Sequence, residues 1–270
     1  PLCQCLAANY IEGIAGILNG TTNFILTMMI EEGMSFEEAL KIAQEKGYAE
    51  KDPTADVEGH DACRKVCILA SLAFGKHVYP NQVETEGITN ISLEDVSYIE
   101  NAGGVIKLLG QIKYINDNEI AAFVSPAVVY NGSQLASVKD VFNAILVRGD
   151  AVGDVCFYGP GAGKLPTASA VVADIIDCAK HSDRKKIFGW GEGSENYVVD
   201  YKEKIEMPFY VRAKATPNEV NSKFADVKFL SRKGQPSDEV AFITDYMTEN
   251  KLNKKLDGMN VINTIKVTNY

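Results

Sequence analysis

Acidic and basic side chains with the spacing of a reactive site are concentrated in residues 47–65, which read GYAEKDPTADVEGHDACRK. This stretch holds five acids and three bases, and its last part carries Asp61 and Lys65 four residues apart. Apolar residues recur there at helical spacing, so both side chains lie on one face of a predicted helix and can pair. An ammonium oriented in this way can donate a proton or hydrogen-bond a substrate oxygen.

Two interpretations of this pair follow from the residues alone. An Asp and a Lys at this spacing most often form a solvent-exposed ion pair of little energetic weight. Here Glu50, Asp52 and Asp56 crowd the approach to Lys65, which suits a ligand with an ammonium group as well as a solvated loop. A calcium-binding loop does not fit, because the sixth position counted from Asp52 is Val57 where an EF-hand has glycine.

The predicted elements place this stretch between two helices. A capping box at residues 35–38 opens the first helix, which ends at Gly47. Residues 48–59 are expected to form a loop, because Pro53 cannot donate to a helical hydrogen bond and restricts the residue before it. The second helical pattern covers residues 60–75 and ends on a glycine.

Two glycine-containing turns could also present backbone N–H groups to a ligand. Residues 16–26, GILNGTTNFIL, place a turn at 19–22 between a predicted strand and a helix, and one of the two threonines is expected to cap that helix. Residues 158–175, YGPGAGKLPTASAVVADI, place glycines just before another helix. On local evidence alone, a cap or a packing contact is the simpler interpretation of both turns.

Taken together and in this order, the three stretches resemble the homoserine dehydrogenase family over residues 1 to about 180. The acidic stretch carries the resemblance as G-Y-A-E-x-D-P-T-x-D-x-x-G-x-D-A-x-x-K. The resemblance implies an NAD(P)-dependent oxidoreductase that interconverts L-aspartate 4-semialdehyde and L-homoserine, in the biosynthesis of threonine, methionine and isoleucine.

The resemblance also implies roles for the charged residues. Aldehyde reduction needs a proton donor for the developing alkoxide and a polarised carbonyl. Lys65 is the expected donor, and Asp61 would orient both Lys65 and the substrate hydroxyl. Glu50 would bind the α-ammonium group of the substrate through a charge-assisted contact. Asp56 is expected to contribute to substrate binding at a lower rank, as a loop-shaping acid like Asp52. No metal ligand set is expected.

The two turns are implied to lie beside the cofactor. In the family, the turn at 19–22 faces the nicotinamide and the substrate, which implies a substrate contact at Thr21 and a cofactor contact at Gly20. Gly163 is the expected cofactor contact in the second turn. NADP or NAD is expected to bind mainly to a domain that this chain lacks, since no strand followed by G-x-G-x-x-G occurs in it. We therefore expect the isolated chain to be inactive.

The predicted fold class is α+β, with a mixed or antiparallel sheet covered by helices in a substrate-binding domain over residues 1–200. Two strand pairs are expected within it, 104–115 with 119–130 and 142–150 with 152–159, each joined by a turn.

Residues 201–270 read as strand, helix, strand, helix and strand, and they resemble a small ferredoxin-like ACT domain with a regulatory or oligomer-forming role. Where ACT domains usually carry a D-x-P-G turn, this chain has Thr216-Pro217-Asn218-Glu219. Threonine binding is therefore expected to be weak or absent.

Composition limits the partners of this 270-residue chain, which has a net charge of −9. Residues 1–200 carry 15 Lys and Arg against 27 Asp and Glu, which disfavours nucleic acid and anionic membranes. No apolar run is long enough to span a bilayer. We expect a cytoplasmic homodimer or higher homo-oligomer with a small-molecule substrate, and reduced, buried thiols at Cys63, Cys67 and Cys178. The alternative is a non-catalytic, oligomerising and amino-acid-binding module of the same fold.

Overall fold

The computed structural model describes residues 2–183 and 189–270. The strands in these ranges are β1 (Ile11–Ile17), β2 (Glu84–Thr85), β3 (Gly104–Asn116), β4 (Glu119–Tyr130), β5 (Phe142–Gly149), β6 (Gly153–Pro160), β7 (Phe209–Lys214), β8 (Val227–Leu230), β9 (Glu239–Thr244) and β10 (Asn260–Val267). The helices are α1 (Gly20–Glu31), α2 (Phe36–Glu45), α3 (Thr54–Val57), α4 (His60–Phe74), α5 (Leu93–Asn101), α6 (Lys164–Lys180), α7 (Tyr201–Lys204), α8 (Pro217–Lys223) and α9 (Glu249–Leu256). None of these helices is long and apolar enough to cross a membrane.

These strands form one sheet in the order β6-β5-β1-β3-β4-β10-β7-β9-β8, with β2 paired to β4. Neighbouring strands are antiparallel except for the pairs β4–β10 and β2–β4, which are parallel. The hairpin of β3 and β4 is the longest, running from Gly104 opposite Tyr130 to Asn116 opposite Glu119. The prediction of a mixed or antiparallel sheet covered by helices is confirmed, the sheet being mixed and mostly antiparallel, and so are the two predicted strand pairs.

The principal core lies between one face of the sheet and helices α1, α4 and α5. It forms because alternate residues of the strands point to that face, as expected for a half-buried strand. Its members include Ile25, Val66 and Ile99 from the helices and Ile14, Ile112, Val124 and Ile265 from the strands. On the opposite face, the loop between β4 and β5 covers a second cluster through Leu135 and Val138.

After the short helix α7, the segment from residue 209 to the C-terminus follows the order β7-α8-β8-β9-α9-β10, with its strands arranged as β10-β7-β9-β8. This is the β-α-β-β-α-β order of ferredoxin-like folds. It contains one strand more than the sequence pattern predicted, because β8 and β9 are separated only by residues 231–238. The segment continues the main sheet, since Lys266 and Val267 of β10 pair with Ala127 and Val128 of β4.

Several local predictions are confirmed. The predicted capping box at Ser35 opens α2. A second capping box, observed at Ser92, opens α5. Helix α4 begins at His60, and Gly75 ends it with φ of 74°, a left-handed conformation that glycine adopts readily.

Other predictions are wrong. Residues 48–59 are not entirely a loop, since the short helix α3 starts directly after Pro53. Proline is compatible with this place because its fixed φ suits a helix entrance and its missing N–H would have no helical partner there. Neither Thr21 nor Thr22 caps α1; Asn19 does so, accepting from the Thr22 N–H at 2.9 Å. Cys63 and Cys67 are buried as predicted, but Cys178 is exposed because no residue of α6 is buried.

A buried polar cluster connects α5 to the C-terminal segment. Asp95 of α5 is inaccessible to solvent. It accepts hydrogen bonds from the Tyr210 hydroxyl at 2.9 Å and the Asn263 amide at 2.8 Å, and the Arg212 guanidinium lies 3.4 Å away. The carboxylate is therefore satisfied by donors from two strands, β7 and β10, that lie far from α5 in sequence.

We expect Asp95→Ala to lower the free energy of unfolding by about 3 kcal/mol, because the Tyr210 hydroxyl and the Asn263 amide lose this buried acceptor and Arg212 loses one of the two carboxylates near it. Urea denaturation of the whole chain measures this change. Glu94→Ala is the matched control: Glu94 sits on the same helical turn, is largely exposed and lies 3.6 Å from Arg212, so its loss should cost less than about 1 kcal/mol. Equal losses in the two variants would contradict a stabilising role for the cluster.

Candidate active site

The stretches singled out in the sequence meet around one cavity of about 710 Å³ that is partly open to solvent. Its walls are the start of α1, residues 46–56, the first turns of α4, the β4–β5 loop and the turn before α6. The seven residues predicted for the site all line it, namely Gly20, Thr21, Glu50, Asp56, Asp61, Lys65 and Gly163. The structure therefore brings together residues that the sequence separates by more than 140 positions; their roles remain predictions.

The Lys65 ammonium is held in a defined position at this cavity. Its Nζ donates to Asp61 Oδ2 at 2.7 Å and to the backbone carbonyl of Leu18 at 2.8 Å. The Lys65 and Asp61 side chains are 47% and 34% exposed, respectively. An ammonium has three N–H donors, so the two contacts leave one donor for a ligand oxygen. The pair is more than a surface i,i+4 contact because the third partner, Leu18, comes from the end of β1.

Asn19 is a site residue that the sequence analysis missed. Its side-chain amide donates to Asp56 Oδ1 at 2.7 Å and to Asp61 Oδ2 at 3.0 Å, while its Oδ1 caps α1. Only 6% of the residue is exposed. The amide thus bridges two carboxylates that would otherwise repel each other. The N-cap preference for asparagine over threonine is the signal that could have identified this residue.

Thr21 ties α1 to the acidic stretch. Its hydroxyl donates to the backbone carbonyl of Tyr48 at 2.7 Å, and the Tyr48 ring packs edge-on against Phe24 at a centroid distance of 5.1 Å. Because this hydrogen bond uses the only O–H donor of Thr21, the hydroxyl offers a ligand its acceptor lone pairs. The residue therefore positions the cavity wall in addition to lining it.

The acids of the 50–52 turn have different environments. Within residues 2–183 and 189–270, the Glu50 carboxylate takes part in no hydrogen bond or ion pair, and it is exposed at the cavity. Asp52 instead accepts hydrogen bonds from the Thr54 hydroxyl and N–H at 2.6 and 3.2 Å, which hold its pKa below the usual value. Glu50 is consequently available to a cationic group, whereas Asp52 shapes the entrance of α3.

The glycines of the cavity either lie against close neighbours or adopt a backbone conformation that favours glycine. A Cβ on Gly20 would lie 2.8 Å from the Val141 carbonyl oxygen, and one on Gly161 would lie 2.3 Å from Asn143 Oδ1. Gly163 precedes α6 with φ of 115°, a conformation that disfavours side chains. The N-terminus of this 17-residue helix lies at the cavity edge and favours an anionic group.

Charges of both signs surround the cavity. Four acids and three bases line it: Glu50, Asp52, Asp56 and Asp61, with Lys46, Arg64 and Lys65. The near balance of charge suits a zwitterionic ligand better than a simple anion or cation. The arrangement can hold an ammonium group, donate a hydrogen bond to a ligand oxygen and admit an anionic group beside α6.

Comparison with known proteins gives a consistent result. A sequence profile of the family described as homoserine dehydrogenase matches residues 1–176. The homoserine dehydrogenase of Synechocystis sp. is 49% identical over 180 residues, which cover 66% of this chain and 42% of that protein. The crystal structure of a homoserine dehydrogenase from Thiobacillus denitrificans matches with a TM-score of 0.87 and 35% identity, over 99% of this chain and 66% of the other.

A more distant structural relative is a hyperthermophilic archaeal homoserine dehydrogenase mutant in complex with NADPH. It matches with a TM-score of 0.54 and 30% identity, over 66% of this chain and 50% of the other. The chain thus spans about four tenths of the Synechocystis relative and two thirds of the Thiobacillus structure.

Two substitutions separate the roles of Asn19. Asn19→Ser keeps a good N-cap but loses the amide bridge, so we expect it to lower the free energy of unfolding by about 2 kcal/mol. Asn19→Ala loses both functions and should cost about 1 kcal/mol more. Urea denaturation of the two variants and the wild type measures the differences. Wild-type stability in Asn19→Ser would show that the contacts with Asp56 and Asp61 contribute nothing.

Proposed function

The chain belongs to the homoserine dehydrogenase family, and from that premise we propose that it provides the substrate-binding part of an NAD(P)-dependent oxidoreductase. The proposed reaction interconverts L-aspartate 4-semialdehyde and L-homoserine, in the biosynthesis of threonine, methionine and isoleucine. The observation that supports it most is the Lys65 ammonium, fixed by Asp61 and Leu18 with one donor directed to a cavity lined by Glu50.

Lys65 is the proposed proton donor. As the aldehyde is reduced, negative charge develops on its oxygen, and an N–H of Lys65 hydrogen-bonds that oxygen and transfers the proton to it. Asp61 holds the ammonium in place through their hydrogen bond. In the reverse direction, Lys65 in its neutral form accepts the hydroxyl proton of homoserine.

Glu50 is the proposed ligand of the substrate α-ammonium group. Its carboxylate has no competing partner in the described ranges, so an incoming ammonium replaces only water. A charge-assisted hydrogen bond of this kind distinguishes an amino acid from a plain aldehyde. Asp56 and Thr21 complete the proposed substrate contacts, with Asn19 keeping Asp56 close to Asp61.

The cofactor side is assigned to Gly20 and Gly163. When bound, the dinucleotide supplies the hydride that reduces the aldehyde carbon. Glycines without side chains line this edge of the cavity, and the N-terminus of α6 is exposed there, so the residues present fit a large anionic ligand. They bind one side of it only, and the choice between NAD and NADP is not made by this wall.

We also propose that a nucleotide-binding domain covers α6 and completes the site. The 17 residues of this helix include none that are buried, although several are large and apolar: Leu165, Val171, Val172, Ile175 and Ile176. An apolar helix face of this size is typical of an interface. By itself, the chain is then half of a site and has no turnover.

The remaining proposals concern organisation. Residues 1–200 would form the substrate-binding domain, and residues 201–270 an ACT-like domain with a packing or oligomer-forming role. Thr216 caps α8 and Pro217 occupies its first turn, an arrangement that needs no glycine and favours no effector site. Exposed edges at β6 and β8 suit a homodimer or higher homo-oligomer in the cytoplasm. The alternative of a non-catalytic module is not favoured by these relatives.

A fusion of this chain to the part of the Thiobacillus denitrificans homoserine dehydrogenase that the chain does not match tests the mechanism, with NADP reduction by L-homoserine as the assay. We call this fusion the reconstituted enzyme. Lys65→Ala should lower kcat by about 10²- to 10⁴-fold with cofactor binding nearly unchanged, because it removes a general acid. Lys51→Ala is the matched control, an exposed lysine of the same stretch that does not line the cavity. Unchanged activity in Lys65→Ala would remove Lys65 from the mechanism.

Substrate recognition is tested by Glu50→Gln in the same enzyme. We expect the KM for L-homoserine to rise about 10- to 100-fold, since a charge-assisted contact contributes roughly 1.5–3 kcal/mol. Glu58→Gln is the control, because Glu58 belongs to the same stretch and bonds Thr89 at 3.3 Å outside the cavity. Similar KM values for the two variants would rule out Glu50 as the ammonium ligand.

A further inference from the structure

We propose that Lys107, acting through Asn23, is a positioning residue for the cofactor-side wall of the cavity. This wall consists of residues 138–143 and the turn 161–163. The expected effect on catalysis rests on the proposed function. The contacts from which the inference is argued do not depend on any reaction. Lys107 lies on β3, outside the cavity, and touches neither of the proposed ligands.

Lys107 is a buried lysine that forms no ion pair with a carboxylate among residues 2–183 and 189–270. It is 2% exposed, and its Nζ donates to Asn23 Oδ1 at 3.0 Å and to the Val138 carbonyl at 2.5 Å. The pKa of Lys107 is lowered to about 8, mainly by burial. Among the smaller effects, Glu31 and Asp140 raise the pKa and Lys139 lowers it. Burying the ammonium group has a desolvation cost that an apolar side chain would avoid. What this lysine specifically provides is therefore its two hydrogen bonds, not additional stability.

Lys107 sets the orientation of the Asn23 amide. Lysine is a donor, so the atom of Asn23 that faces it must be the oxygen, and the NH₂ group must face the other way. That NH₂ group points at three carbonyls of one segment, those of Val138 at 3.3 Å, Asp140 at 3.0 Å and Phe142 at 3.3 Å. This single buried amide therefore links the end of the β4–β5 loop and the start of β5 to α1.

The fastened segment holds a strained conformation. Asp140 has φ of 54°, which is unfavourable for a residue with a side chain. Its N–H donates to the Thr27 hydroxyl at 3.1 Å, a second tie to α1 one turn after Asn23. Such a conformation persists only where surrounding contacts hold it.

The segment then determines the shape of the cavity wall. Val141 packs so closely on Gly20 that a Cβ there would lie 2.8 Å from its carbonyl oxygen. Asn143 donates to the Ile17 carbonyl at 3.0 Å and lies against Gly161. A shift of a few tenths of an ångström at residues 138–142 would thus reach both Gly20 and the turn before α6. The opposite wall, with Asp61 and Lys65, has different supports.

Amide hydrogen exchange of the isolated chain tests the contacts directly. Lys107→Met should raise exchange at least tenfold at the hydrogen-bonded amides of Val138, Asp140 and Phe142, and leave α4 unchanged. Lys113→Met is the matched control: Lys113 lies on the same strand, is mostly buried and faces the Tyr270 ring at 5.7 Å instead of the wall. Unchanged exchange in Lys107→Met, or the same increase in both variants, would overturn the proposal.

A second variant keeps the test decisive if Lys107→Met fails to fold. Asn23→Asp preserves the oxygen that accepts from Lys107 and adds an ion pair, but removes the donors to the three carbonyls. We expect it to fold and to show the same increase in exchange at the amides of Val138, Asp140 and Phe142. Wild-type exchange in folded Asn23→Asp would overturn the proposal.

Kinetics of the reconstituted enzyme distinguish positioning from general destabilisation. Lys107→Met should raise the KM for the dinucleotide about tenfold with kcat within about threefold, because the Asp61–Lys65 wall is supported separately. The double variant with Asn23→Asp should be no worse than the worse single variant, as expected for residues that act as a unit. Equal changes in kcat and KM for Lys107→Met, or additive changes in the double variant, would overturn the role in cofactor binding. Absence of activity in the wild-type fusion would instead count against the proposed function, and hydrogen exchange would still decide the contacts.

Discussion

The position of the Lys65 ammonium between the Asp61 carboxylate and the Leu18 carbonyl is the contact on which the rest of the site depends. It joins the first turn of α4 to the end of β1, so the acidic stretch and the glycine turn before α1 are fixed relative to each other. Asn19, the next residue after Leu18, extends the connection by bridging Asp56 and Asp61. A cation, two anions and a neutral amide thus compensate one another at the rim of a cavity that is partly open to solvent.

The sheet explains why these groups meet. β1 lies between β5 and β3, so the turn that follows it is flanked on one side by the loop entering β5 and on the other by helix α4, which packs on β3 and β4. The close contacts of Gly20 with Val141 and of Gly161 with Asn143 bring the turn before α6 to the same point. Antiparallel pairing of β5 with β6 is what returns the chain to this edge after 20 residues.

Polar groups buried in the fold serve two kinds of connection. Asp95 gathers donors from β7 and β10 and so joins the C-terminal segment to α5. Lys107 and Asn23 join α1 to the loop before β5. Each is satisfied by hydrogen bonds to groups remote in sequence, which makes it costly to disturb and specific in geometry. Helix α6 differs from these buried polar groups, because it has large apolar side chains that are exposed.

Local sequence determined the elements whose signals are themselves local. The capping box at Ser35, the glycine end of α4 and the two hairpins depend on neighbouring residues, and all were predicted. The i,i+4 spacing likewise placed Asp61 and Lys65 on one helix face. Pro53 was misjudged because its effect on a helix depends on whether it lies inside or at the entrance. The burial of Cys178 was predicted wrongly because apolar periodicity shows only which face of a helix is apolar. Whether another element covers that face is shown only by the tertiary structure.

The tertiary structure alone decided the bridging role of Asn19, the buried partners of Lys107 and the meeting of Gly163 with Lys65 in one cavity. These contacts join residues dozens of positions apart, and their existence depends on strand order and register. No periodicity in the chain encodes which strands become neighbours, because that choice is made by the packing of the whole sheet against its helices. Sequence therefore specified the reactive groups and their local supports, while the distances between them arose from the fold.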